Sequence, residues 1–132
     1  VTDKETLLAF RLRQAEETLD DARKMLNEEL SPRSIANRAY YCMFYAALAL
    51  FLASDIQIKT SKHAGIISIF DREFAKTGKI EKRFSEMLHV TFNARLEADY
   101  QEMVELSLQE ALEYVRWAED FLKCIKEIIA AK

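Results

Sequence analysis

The sequence predicts an all-α fold: an up-and-down bundle of four to five helices forming one domain over residues 1–132. Three observations carry this. First, 132 residues contain only two Gly and one Pro, too little turn chemistry for a sheet protein. Second, half of the residues are hydrophobic and 31% are charged, the balance of a globular chain with one core. Third, apolar residues recur at steps of three and four in several long segments, as one face of a helix requires.

The first helix, placed at 3–29, opens on a capping box. Thr2 caps the backbone and Glu5 reaches back. Its stripe runs Leu8, Leu12, Ala15, Leu19, Ala22, Leu26. Ser31-Pro32 starts the second helix, with Ser as N-cap and Pro at the first helical position. This helix extends to about Ser54 and is apolar nearly all round after Arg38. Either the bundle or a second copy of the chain must cover it. Ala39, Cys42, Ala46, Ala49 and Ala53 form a small-residue stripe that admits a close helix. Tyr41, Phe44, Leu48 and Phe51 fill the other side.

A loop, SDIQIKTSKHAG, leads to a third helix at about 62–76, ended by Gly78 in TGK. A fourth is placed at 80–93 on Ile80, Phe84, Leu88 and Phe92. The last has the clearest period: Val104, Leu108, Ala111, Val115, Ala118, Leu122, Ile125, Ile129.

The formal net charge of -3 argues against a protein that coats nucleic acid by bulk charge, and leaves room for a local basic site. Cys42 and Cys124 lie in apolar helical patterns and read as buried free thiols in a reducing, cytoplasmic setting. The opening VTDKETLL has no signal-peptide character. The apolar run at 39–53 is shorter than the ~20 residues that span a bilayer, so a buried central helix and no membrane partner are expected.

Most motifs for chemistry are absent. Glu86 and His89 form one E-x-x-H, but a di-iron bundle needs two, and the residue three before His63 is Thr60. Two His and two separated Cys make no zinc site. No metal or cofactor is expected. No phosphate loop, nucleophile elbow or Cys–His pair can be read. His89 reads as a partly buried core histidine; Lys62 and Glu86 read as surface. Two features remain. Arg38, Tyr41 and Tyr45 share one helix face at i, i+3 and i+7. The stretch RLEADY at 95–100 sets Arg95 and Asp99 at i, i+4, beside Tyr100. On charge pattern alone these are exposed ion pairs, which are individually weak.

The order NRAYYCMFYAALALF, then KHAGIISIFDREFAKTGKI, then RLEADY before a long closing helix, resembles the HEPN superfamily over about residues 5–128. The resemblance is to its small stand-alone prokaryotic branch. It implies a helical bundle that forms a homodimer. Relatives often carry an Arg followed, after four to six residues, by a His, and use the pair in metal-independent RNA cleavage. They often act with a minimal nucleotidyltransferase in toxin–antitoxin pairs. In this chain, four residues lead from Arg95 to Tyr100, and six lead from Arg38 to Tyr45. Imidazole transfers protons near neutral pH, whereas phenol at pKa ~10 is a poor general base. The resemblance therefore implies a nucleotide- or RNA-binding module, with Arg38, Arg95, Asp99 and Tyr100 as first site residues and Tyr41 and Tyr45 as second. The alternatives are an active ribonuclease toxin, with His63 or His89 folded into the cleft, and a purely structural protein-interaction domain.

Overall fold

The computed structural model describes residues 1–100 and 105–132, with side chains for 1–95 and 105–132. Five α-helices form the bundle: α1 (Asp3–Asn27), α2 (Pro32–Ala53), α3 (His63–Phe70, continued by one π-helical turn at Asp71–Ala75), α4 (Lys82–Tyr100) and α5 (Leu108–Ala130). No strand occurs among the described residues.

Local chemistry explains the helix starts. Thr2 accepts from the Glu5 amide at 3.1 Å while Glu5 returns a bond to the Thr2 amide, so the expected capping box forms. Ser31 accepts from the Ser34 amide at 3.0 Å, and Pro32 follows at the first helical position. Ser107 and Glu110 make a second capping box at α5, one the sequence reading passed over. Gly78 ends the third segment at φ 76, where Ile80 donates back to the Phe74 carbonyl.

Packing centres on α2, which lies against α1, α4 and α5. Of its residues, twelve are buried, including Ala39, Cys42, Ala46 and Ala49 of the small-residue stripe. Those short side chains let neighbouring helices close in. Phe51, Phe70, Phe121 and Leu88 then fill the interior, each worth about 1.5–3 kcal/mol of burial. The bundle itself covers most of α2. As a 22-residue helix it is long and apolar enough to cross a membrane, but two thirds of that window is buried against the other helices. Ion pairs pin α1 to α5: Arg23 to Glu119 at 2.7 Å, and Lys126 to Glu16.

Three expectations change. The fourth helix, expected to end near 93, runs on through RLEADY to Tyr100. The last helix starts at Leu108, after the capping box. His89 is exposed rather than core: its Nε2 meets Asp71 Oδ2 at 2.6 Å, and Asp71 also accepts from Ser85. In addition, Cys124 is half-buried where full burial was expected; both cysteines are free.

Candidate functional site

The site is built on the second to fourth turns of α2. Asn37 accepts from Arg38 Nε at 3.1 Å and from Nη2 at 2.7 Å, which fixes the plane of the guanidinium. That guanidinium lies 5.3 Å from the centre of the Tyr41 ring, one turn on. Arg95 arrives from α4 and reaches the same ring at 5.4 Å, and the Tyr40 ring at 5.7 Å. Two arginines separated by 57 positions therefore meet on one tyrosine within a single chain. Tyr45 continues the row, its ring 5.7 Å from Tyr41. Arg38, Tyr41, Tyr45 and Arg95 are all half-buried. Cation–aromatic contacts of this kind contribute about 0.5–1 kcal/mol each at partly exposed sites, enough to orient a guanidinium.

Of the site residues expected from sequence, Arg38, Tyr41, Tyr45 and Arg95 come together. The side chains of Asp99 and Tyr100 lie outside the described residues. Two neighbours were not in the expected site. Tyr40 is fully buried beneath Arg95. His63, the first residue of α3, stacks on Phe44 with centroids 4.1 Å apart and planes 9° from parallel. Its Nδ1 lies 2.7 Å from the Tyr40 hydroxyl. Phe92 of α4 closes the cluster, 5.7 Å from Tyr40 and 6.3 Å from His63. Of the two histidines offered for a cleft, His63 is the one beside the arginine.

Gly65 helps to place the start of α3, and with it His63, at this point. A Cβ there would fall 2.7 Å from Thr60 Cγ2, so glycine lets the Thr60 side chain pack against the first turn of α3 without displacement. Thr60 in turn accepts from the Lys62 amide at 3.1 Å, holding the residue before His63.

The electrostatics follow from burial and the two cations. Burial raises the Tyr40 phenol well above its ordinary value, against a smaller opposing pull from Arg95. Burial, then Arg95, lowers His63 below its ordinary 6.5, so the imidazole is neutral at physiological pH. The cluster thus combines two cations, the half-buried Tyr41 and Tyr45 rings and a neutral imidazole. That combination suits an anion joined to a flat ring, with phosphate against guanidinium and base against tyrosine.

Comparison with known proteins supports the family. The HEPN domain family model matches residues 8–128. A UPF0332 protein of Thermotoga maritima is 39% identical over 130 residues, covering 98% of this chain and 96% of the relative. Two proteins of Methanocaldococcus jannaschii, each named as a candidate toxin, are 31% and 34% identical over 121 residues. They cover 92% and 87% of this chain, and 80% and 86% of the relatives' own lengths.

Proposed function

The chain belongs to the HEPN domain family, and from that premise we propose that it is a nucleotide- or RNA-binding module. The carrying observation is the meeting of Arg38 and Arg95 on the Tyr41 ring. A guanidinium holds phosphate oxygens through several N–H donors at once, and tyrosine rings stack on bases regardless of sequence. Relatives named as candidate toxins favour a role in a toxin–antitoxin-type pair. The family resemblance adds a homodimer and a minimal nucleotidyltransferase as the partners of that role.

A second reading, a metal-independent ribonuclease, has one observation in its favour: His63 supplies an imidazole beside Arg95. The position after Arg95 where relatives carry histidine is Tyr100 here. Purified protein incubated with single-stranded RNA in a chelator separates the two. The binding reading expects retention of intact RNA, lost in Arg95→Gln. Robust cutting that Arg95→Gln abolishes would replace it with the ribonuclease reading. No RNA or nucleotide affinity, or affinity untouched by Arg38→Gln and Arg95→Gln, would leave only a structural interaction domain.

A further inference from the structure

We propose that His63 is a ligand-contacting residue of this site, held by Tyr40 so that its Nε2–H donates to a phosphate oxygen lying against Arg95. This rests on the binding reading above and assigns a contact that reading does not contain.

The tautomer follows from acid–base chemistry. The Tyr40 oxygen and His63 Nδ1 are 2.7 Å apart, so one proton lies between them. A phenol is a far stronger acid than a neutral imidazole N–H, and an imidazole nitrogen is a far stronger base than a phenol oxygen. The bond therefore runs from the Tyr40 hydroxyl to Nδ1. Burial of Tyr40 keeps its proton in place. With Nδ1 occupied as acceptor, the ring's own hydrogen sits on Nε2.

The ring is also aimed. Parallel stacking on Phe44, edge contact with Tyr41 and the packing of Phe92 leave it little rotational freedom. Nε2 makes no hydrogen bond to any described residue, and the ring is only half-buried. A polar N–H in a partly desolvated aromatic cluster calls for an acceptor from outside, either water or ligand. The Arg95 guanidinium, which shares Tyr40 and Tyr41 with this ring, makes an anion the favoured acceptor.

A consequence separates this from mere packing. Among the described residues, the charged and titratable groups around His63 are Arg95 from α4 and Tyr40 and Tyr41 from α2, with Arg38 on the far contact of Tyr41. Arg95 disfavours a charged imidazole in the empty site. A phosphate against Arg95 offsets that charge and favours imidazolium, which then makes a stronger, charge-assisted bond. Binding takes up a proton, and affinity rises as pH falls.

The test is fluorescence anisotropy with a short 3′-labelled oligouridylate bearing a 5′-hydroxyl, whose groups do not titrate between about pH 5.5 and about pH 8. The wild-type chain should bind more tightly toward the acidic end. His63→Phe preserves the stacking, and should weaken binding roughly five- to tenfold at neutral pH with a flattened profile. His63→Gln, which restores an N–H donor, should recover part of the neutral-pH affinity but not the pH dependence. Tyr40→Phe should fall between, because Nδ1 is then free to take the ring's hydrogen. Wild-type binding matched by His63→Phe in both strength and pH profile would overturn the assignment while leaving the binding reading intact. No binding by the wild type would overturn both.

Discussion

His63 shows at the level of one residue how burial and charge shape the site. Because its folded pKa lies below the ordinary 6.5, the unfolded chain binds more protons in the window from 6.5 downward. Stability is then independent of this group above that window, and falls as pH drops through it. Urea denaturation at about pH 7.5 and about pH 5.5 should show this loss in the wild type and a smaller one in His63→Phe. Cys42 makes a companion case. Full burial pushes its thiol up to about 12, so it carries almost no thiolate at neutral pH. Cys124 is only half-buried; burial first, then nearby Glu127, raises its thiol too, but its sulfur is less shielded. Alkylation of the native chain should therefore modify Cys124 first and reach Cys42 only on unfolding; equal labelling rates would contradict the packing around α2. Legibility in the sequence divides the same way. Arg38, Tyr41 and Tyr45 were readable because helical spacing alone places them on one face. The Tyr40–His63 contact spans 23 positions and a loop closure that depends on Gly65 and Thr60, which no local period encodes.

The helices and their ends are governed by caps more than by apolar content. Gly78 adopts φ 76, and an added Cβ would meet nothing within 4 Å. Gly78→Ala therefore isolates the backbone cost of the left-handed conformation, and should destabilise the bundle by about 1 kcal/mol. Ser107→Ala should cost about as much by removing the hydroxyl that accepts from the Glu110 amide. Chemical denaturation measures both, and a Gly78→Ala variant as stable as the wild type would refute the assignment of that turn. Helix starts were legible wherever Ser or Thr stood before a Pro or an acid, as at Thr2 and Ser31. The end of α4 was not. The apolar period weakens after Phe92, but Ala94, Leu96 and Ala98 are good helix formers and no Gly or Pro intervenes, so the helix runs on to Tyr100. That continuation matters for the site, because it presents Arg95 from a rigid element rather than from a loop.

For the whole molecule, the all-α class was readable from the scarcity of Gly and Pro and from the helical periods. The coverage of α2 was not, because sequence alone could assign its apolar surface either to the bundle or to a second copy. The net charge of -3 now constrains how the site can work. On the proposed binding reading, attraction comes from two arginines rather than from a field over the whole surface, so few counterions are displaced on binding. The logarithm of the RNA association constant should fall with the logarithm of salt with a slope of only about -1.4 for one pair of arginines, and about twice that if a dimer presents two pairs to one strand. A slope near -7 would mean that a broad basic surface, rather than the arginine pair, binds the RNA. Light scattering on the same samples links the slope to the number of chains bound.

The most direct test of the shared site is an NMR titration of the isotope-labelled chain with a short single-stranded oligouridylate, following arginine Nε–H and histidine ring signals together. Arg38, Arg95 and His63 should shift in parallel along one saturation curve, while His89, bound to Asp71 on another face of α4, stays still. Shifts confined to residues elsewhere on the bundle, or separate saturation of Arg38 and Arg95, would contradict a single site centred on Tyr41.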